Sequence, residues 1–138
     1  FACRENTHCP DFDAPSTVVL GQPDATSARE LPHVPQGPHR LRFPYGVAAE
    51  GDLVAVADTA NNRILLWRDP PGTGAGHPAA LVLGQDDFAR AGENRWTAVT
   101  RDSLCWPYAL HLHRTPAGRR VLAVADSGNN RATLWTLD

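Results

Sequence analysis

Two histidines one residue apart, His111 and His113, are the side chains of this sequence best spaced for metal chemistry. The surrounding letters, YALHLH, predict a β-strand, and alternation along a strand places both imidazoles on the same face. Two imidazoles placed in this way can share a metal such as zinc. The sequence offers no third ligand beside them, so the alternative is that the pair consists of ordinary polar residues.

The three cysteines leave several chemistries open. Cys3 and Cys9 enclose five residues in CRENTHC, a gap longer than the two to four residues usual in zinc sites. A disulfide between them and a pair of free thiols both fit this spacing, and a metal shared with His8 is a third alternative. Cys105 lies far away beside a tryptophan and is interpreted as a buried or half-buried thiol. This cysteine usage leaves the compartment undecided.

Composition narrows the class of protein. The 138 residues suffice for one modest domain, and 42% of them are apolar, which is enough for a packed core. A net charge of −2 provides no basic field for nucleic acid or anionic lipid. No run approaches the roughly 18 apolar residues of a membrane span, and no nucleophile motif, phosphate-binding loop or carboxylate pair stands out. We therefore expect neither a membrane nor a nucleic acid as partner.

The segments that must position these residues occur twice in the sequence. Gly21 and Gly84 lie 63 positions apart, and so do Pro44 and Pro107. Five further residues separate the later parts of the two copies, and they fall in the polar turn HRTPAGRR, where insertions are tolerated. Internal repeats of this kind indicate a repeat architecture. The matching blocks are VVLGQPD with LVLGQDD, LRFPYGV with LCWPYAL, and VAVADTANNRILLW with LAVADSGNNRATLW.

Each copy is predicted to form short β-strands. The runs are four to six residues long, rich in Val and Leu, and bounded by Gly, Asp, Asn and Pro. Several are apolar on both faces, which is typical of strands covered above and below. The predicted strands are Val18–Gly21, Gly46–Glu50, Leu53–Ala57, Arg63–Trp67 and Leu81–Gly84, followed by three more between Ala109 and Leu137.

Asp58 and Asp126 begin the equivalent turns DTANNR and DSGNNR. An Asp carboxylate accepts bonds from the backbone N–H groups that follow it, and Asn61 and Asn62 tolerate the positive φ of a tight turn. In the second copy, Gly128 is expected to adopt that conformation. We interpret these residues as turn architecture, and the alternative is a set of metal ligands.

At these residues the chain resembles a known family. FPYGVAAEGDLVAVADTANNRILLW and WPYALHLH…VLAVADSGNNRATLW are similar to the NHL repeat, and the added VLGQ strand resembles a bacterial NHL variant. Ala109 replaces the glycine of the first strand in the second copy, and Ala132 replaces an apolar residue after Arg131. The resemblance implies an all-β fold made of β-propeller blades, with repeat cores at 41–84 and 104–138 within a domain at 17–138. Residues 1–16, with the cysteine pair, would lie outside the repeats.

Eight predicted strands amount to two four-stranded blades, whereas propellers have roughly four to eight blades. We therefore expect the two blades to be part of a larger propeller, with the remaining blades on another chain or cut away, or else supplied by identical copies that assemble head to tail. Three copies would make six blades, a count that resembles known NHL domains. The alternative is a compact monomer in which the first strand folds back onto the last blade.

Two inter-blade loops of twenty-two residues each, Gln22–Phe43 and Gln85–Trp106, are the expected binding surface, because loops of this length are uncommon without a function. We expect a non-enzymatic module that presents these loops to a protein or small ligand; the alternative is that the tryptophans merely cover the blades. The candidate binding residues are His33, His39, Arg95, Trp96, Arg101 and Trp106.

A second hypothesis is a metal-dependent propeller enzyme of the lyase or hydrolase type. The NHL family includes the amidating lyase, whose propeller channel binds zinc and calcium, and His111 and His113 would lie on the strand nearest such a channel. The resemblance to that enzyme covers only the repeat skeleton, so none of its catalytic residues is carried over. Apart from zinc or calcium at this pair, we expect no cofactor.

Overall fold

The computed structural model describes residues 16–28 and 37–137. In these residues the protein is built from nine β-strands and three short 3₁₀ turns, so the prediction of an all-β protein is confirmed. No helix in this part of the chain is long and apolar enough to span a membrane. The strands are β1 (Val18–Val19), β2 (Pro44–Glu50), β3 (Leu53–Asp58), β4 (Arg63–Arg68), β5 (Gly74–Ala75), β6 (Leu81–Leu83), β7 (Pro107–Arg114), β8 (Arg120–Asp126) and β9 (Arg131–Leu137).

Strands of the two repeats form two separate antiparallel sheets. The first sheet has the order β2-β3-β4-β6, and the second sheet, within the described residues, has the order β7-β8-β9. Both follow the chain as simple meanders, because each strand lies beside the one that precedes it, apart from the insertion of β5. The predicted strand boundaries agree with these elements to within about two residues.

The segment predicted as the strand Val18–Gly21 forms only the two-residue strand β1. It pairs in parallel with β5, so that Val18 lies opposite Gly74 and Val19 opposite Ala75. The sequence does not predict this contact, since β5 lies in a glycine-rich connection whose composition indicates flexibility. The pairing also differs from the alternative of a first strand folded back onto the last sheet.

The main hydrophobic core lies between the two sheets. Leu53, Ile64 and Leu66 of the first sheet are fully buried against Leu112 and Leu122 of the second. Burying one such side chain contributes about 1.5–3 kcal/mol, so this contact holds the sheets together. The rest of the cluster comprises Ala55, Ala57, Leu104, Val124 and Leu137, with Ala48, Leu83, Leu110 and Trp135 at its border.

A smaller core covers the outer half of the opposite face of the first sheet. Leu65 and Trp67 are buried there, and Leu20 and Leu41 pack against them from the segments around β1 and before β2. The Trp67 indole nitrogen donates a hydrogen bond of 3.0 Å to the carbonyl of His77. Residues 18–20 therefore belong to the packed structure, although they form little regular strand.

The turns after β3 and β8 are built in the same way. Asp58 Oδ1 accepts the backbone N–H of Arg42 at 2.6 Å, and its Oδ2 accepts bonds from Asn61 at 2.8 Å and Arg63 at 2.6 Å. Asn62 then takes a φ of 53°. These bonds occupy the carboxylate, which supports the interpretation of this residue as turn architecture.

The second copy repeats these bonds one by one. Asp126 accepts from the backbone N–H of Cys105 at 2.8 Å, from Asn129 at 2.8 Å and from Arg131 at 2.7 Å. The left-handed residue is again the second Asn of the turn, Asn130, with a φ of 53°. The expectation that Gly128 takes a positive φ is wrong. Glycine is needed there because a Cβ would lie 2.5 Å from Cys105 Sγ.

An ion-pair cluster joins the two sheets at the end away from these turns. Arg114 contacts Glu50 at 3.0 Å, and Arg120 contacts the same carboxylate at 3.3 Å and also Asp52. Because this cluster lies partly in water, its role is to align β2 with β7 and β8 more than to add much stability.

A candidate binding surface at the loop end of the sheets

The first residues of β2 and β7 lie at the same end of the molecule as the turns after β3 and β8, because Arg42 and Cys105 bond to the turn carboxylates. The connection 85–106 also lies at this end. Five aromatic side chains are exposed here, and we call them the loop-end surface: Phe43, Tyr45, Trp96, Trp106 and Tyr108.

Asn62 fastens the connection 85–106 to the first sheet. Its side-chain nitrogen donates to the carbonyl of Ala91 at 3.0 Å, and its side-chain oxygen accepts the backbone N–H of Trp106 at 2.9 Å. The buried amide of Gln85 donates to the carbonyls of Asn62 at 2.9 Å and Gly92 at 2.8 Å. The left-handed residue of the turn thus also positions the loop.

Asn94 fastens the same loop to the second sheet. Its amide and the amide of Asn129 donate to each other's oxygen, at 3.0 and 2.8 Å, and the Ser103 hydroxyl adds a bond of 3.0 Å to Asn94 Oδ1. The connection 85–106 is therefore a folded unit bridging both sheets, as loops of this length often are.

The tip of this loop has a strained backbone. Asn94, Arg95 and Trp96 have φ values of 48°, 60° and 59°. The left-handed conformation costs about 1–2 kcal/mol per residue that is not glycine, less for Asn. Such strain persists only where surrounding bonds enforce it, and it tends to occur at functional sites. Here the bonds of Asn94 enforce it.

Strain at the tip presents Trp96 to solvent. The side chain is 80% exposed, and its indole lies against the backbone of Gly92, where a Cβ would come within 2.4 Å of the ring. Leaving a tryptophan in water gives up one of the largest gains from burial available to a side chain. Trp96 therefore covers little of the sheets, contrary to the alternative that it merely caps them.

Arg95 holds the tip on its polar side. Its guanidinium contacts the Asp102 carboxylate at 3.0 Å and lies 3.4 Å from that of Asp86. Hydrogen bonding by the Thr100 hydroxyl, and then the Arg95 contact, lowers the pKa of Asp102 below its usual value. Exposed pairs of this kind are weak, so Arg95 serves to orient the loop.

Tyr45 of the first sheet and Tyr108 of the second meet between the two sheets. Their rings pack edge to face with centroids 4.6 Å apart. Two residues before Tyr108, the Trp106 indole N–H donates to Glu93 at 2.9 Å. The loop-end surface thus combines flat apolar rings with a carboxylate. Phe43 and Trp106 also share a φ of 49° at equivalent positions of the two copies.

The candidate residues predicted from sequence are not all brought together. Arg95, Trp96 and Trp106 lie in one loop, and Arg101 is exposed in the same connection. His39 belongs to the other long connection, and its Nδ1 forms a hydrogen bond of 2.9 Å with the carbonyl of Gly76. His33, Cys3 and Cys9 lie outside the described residues.

Sequence reasoning missed Phe43, Tyr45, Tyr108 and Asn94. A signal for the first three was present, because FPY and WPY place aromatic residues at equivalent positions before and within the first strand of each copy. Nothing local pointed to Asn94, whose partner Asn129 lies 35 residues away.

His111 and His113 lie on one face of β7, as alternation predicts, with ring centroids 5.7 Å apart. They face away from the first sheet, since Leu112 between them points into the shared core. Their neighbours across the strand pair are Ala123 and Val121. In residues 16–28 and 37–137 no group of three potential metal ligands occurs. A metal at this pair stays a prediction.

The thiol of Cys105 is buried beneath the turn after β8. Burial, together with the negative charges of Glu93 and Asp126, raises its pKa above the usual value. The thiol therefore stays protonated at neutral pH, and the residue serves as a small apolar side chain in this position.

No protein-family model matches this chain, and a search of curated proteins also finds no match.

Proposed function

We propose that this chain is a non-enzymatic binding module of the NHL β-propeller type, which holds a protein or small ligand on its loop-end surface. The observation that carries the proposal is Trp96, which is 80% exposed at the tip of a strained loop. Strain and exposure both cost free energy in the unliganded protein, and a ligand that covers the indole would recover part of it.

The blade interpretation is supported by the equivalent surroundings of the two VLGQ segments. A Cβ at Gly84 would lie 2.7 Å from Leu104 Cδ1, and one at Gly21 would lie 2.6 Å from Leu41 Cδ1. Leu83 borders the core between the sheets, and Leu20 borders the smaller core on the far side of the first sheet. These equivalent surroundings support the interpretation of residues 18–21 as the outer strand of a preceding blade.

The form of the surface favours binding over catalysis. Trp and Tyr provide large apolar contact areas at a low entropic cost, and they are enriched where partners bind. The loop is already ordered by Asn62 and Asn94, so less conformational entropy is lost on binding. Glu93 beside Trp106 adds one oriented acceptor.

Peptides selected from a random phage-displayed library on the immobilised protein test this function. We expect selected peptides to shift the NMR signals of the Trp96 and Trp106 indole N–H groups and to leave that of the buried Trp67 unchanged. Trp96→Ala should weaken binding at least tenfold. Val99→Ala, at an exposed position of the same connection, is the matched control and should bind normally.

Peptides that bind Trp96→Ala as tightly as the unchanged protein, or that shift only the Trp67 signal, would contradict the proposal. A failure to select any binder from peptide and small-fragment libraries would contradict it as well.

The second candidate is the metal-dependent enzyme, and the observation that favours it is the pair of nearly parallel imidazoles on one open face. Zinc titration of metal-free protein separates the two functions. The binding module predicts weak zinc uptake that is unchanged when His111 and His113 are both replaced by Ala. Stoichiometric, tight uptake lost in that double variant would favour the enzyme.

A further inference from the structure

The exposed face of the second sheet corresponds to a face that is buried in the first. Leu134 is 75% exposed on β9, whereas its repeat equivalent, Leu66, is completely buried against the second sheet. We call this exposed surface the open face of the second sheet. It consists of His111, Val121, Ala123, Ala125, Ala132 and Leu134, which are equivalent to Ala48, Leu53, Ala55, Ala57, Ile64 and Leu66.

The complementary surface is present on the other side of the same molecule. Val47 and Val54, on the face of the first sheet that is turned away from the second, are equivalent to Leu110 and Leu122, which pack into the shared core. Val47 is exposed. Each of the two faces that meet inside the chain thus has a repeat equivalent on the outside of the molecule. These two outer faces point in opposite directions.

The edge of β9 is likewise the equivalent of an edge that is paired in the first sheet. In the first sheet, β4 pairs with β6 so that Ile64 lies opposite Leu83, Leu65 opposite Val82 and Leu66 opposite Leu81. Among the described residues, the equivalent strand β9 pairs only with β8. The repeat equivalent of β6 is the segment Val18–Leu20, which packs beside the first sheet as β6 packs beside the second.

We propose that a second copy of this chain docks head to tail on the open face of the second sheet. Residues 18–20 of the arriving copy then lie antiparallel to β9, with Leu20 opposite Ala132, Val19 opposite Thr133 and Val18 opposite Leu134. Its Val47 and Val54 cover Leu134 and the small residues of β8. The proposal rests on the blade interpretation given above, and it is independent of what the loop-end surface binds.

A second copy is favoured over an unrelated partner because a single head-to-tail docking covers both apolar faces and also pairs the edge of β9. The two faces are apolar halves of an interface already formed within the chain, and the edge of β9 has the register that β4 has toward β6. Such an interface is heterologous, so successive copies either close into a ring or continue as a filament. Closure after three copies would give six sheets.

Cross-linking between two chains, each with one introduced cysteine besides the buried Cys105, tests this register. One chain carries Val19→Cys with a tag, the other carries Thr133→Cys, and Ser replaces Cys3 and Cys9 in both. A second mixture pairs Val18→Cys with Leu134→Cys. Adjacent opposed pairs alternate in spacing, and the closer of the two pairs suits a disulfide. Under mild oxidation we expect a covalent heterodimer in at least one mixture.

Thr136→Cys, three residues along β9 from Thr133, is the matched control and should not link to Val19→Cys. An absence of heterodimers in both mixtures, or equal yields with the control, would overturn the docking proposal. These chains keep Trp96, so peptide binding can be measured on the same samples. Loss of cross-linking with binding intact would reject only the assembly, and the reverse result would reject only the ligand function.

Discussion

At the scale of single residues, the buried ion pair between Asp58 and Arg63 is the contact that holds the turn after β3 and both long connections together. Neither side chain is exposed. Burial raises the pKa of Asp58, and the Arg63 charge opposes this. The guanidinium also donates to the carbonyls of Phe88, Gly37 and Arg40, so one arginine ties the turn after β3 to both long connections.

Replacing Asp58 by Ala is expected to destabilise the protein by about 3–5 kcal/mol, because it leaves the Arg63 charge buried without its partner. The matched change is Asp126→Ala in the second copy, where Arg131 keeps 28% of its side chain exposed. Its loss should be clearly smaller, since water can solvate the released cation. Urea unfolding measures both free energies. Equal losses would contradict this explanation.

Much of this residue-scale picture is predictable from the sequence. The repeated DTANNR and DSGNNR turns point to the Asp carboxylates and to a positive φ at Asn61 and Asn62 through residue types and spacing alone, and in the structure only Asn62 takes it. The role of Gly128 is not predictable, because its requirement comes from the approach of Cys105, 23 positions away in the chain. A local pattern reveals a need for positive φ but not a steric neighbour from another strand.

At the scale of elements, the connection 85–106 behaves as a small folded unit whose strain is held by the amide pair of Asn94 and Asn129. Asn94→Ala and Asn129→Ala should each cost about 1 kcal/mol, as is usual for lost hydrogen bonds. The double variant should cost more than either change alone but less than their sum, because the two mutual bonds are lost in both single variants, whereas the bonds to Ser103 and Asp126 are each lost in only one. A double-mutant cycle from urea unfolding gives the coupling. Additive losses would show that the two amides act independently.

Acid should loosen the same loop through Asp102. The Thr100 hydroxyl and then Arg95 lower the pKa of this carboxyl below its ordinary value of 3.8. A carboxylate with a lowered pKa in the folded state contributes stability above its unfolded pKa and loses it as the pH falls through the folded value. We therefore expect the Trp96 indole signal to shift reversibly below about pH 4.

Asp102→Asn is the control for that titration. Its Trp96 signal should be insensitive to pH over the same range, while the Trp67 signal should behave alike in both proteins. An unchanged acid transition in the Asp102→Asn variant would mean that a different carboxyl group holds the tip of the connection 85–106 in place.

The conformation of this loop could not be predicted from its amino-acid sequence. The sequence identified Trp96 and Arg95 as residues of a long connection, but Arg and Trp have no preference for the left-handed conformation. Their φ values depend on bonds to the turns after β3 and β8, which are brought near only when both sheets have folded. The pairing of β1 with β5 escaped prediction because β5 lies in a glycine-rich connection whose composition indicates flexibility.

At the scale of the whole molecule, the repeat accounts for most of the architecture. Equivalent blocks in the same order predict equal strand orders, and the two sheets have them from β2 to β4 and from β7 to β9. The repeat also explains why the two sheets leave complementary apolar surfaces on their outer sides. A single compact unit would be expected to cover Leu134 and Val47, which are instead exposed.

The mass of the protein in solution, measured by light scattering over a range of concentrations, tests this account most directly. We expect a particle of three times the 15.0-kDa chain mass, because in the proposed head-to-tail assembly three copies would close six sheets into a ring. Leu134→Arg should return it to the mass of one chain, whereas Val99→Arg, on the loop, should leave the assembly intact. A monodisperse 15.0-kDa particle at every concentration would contradict the account.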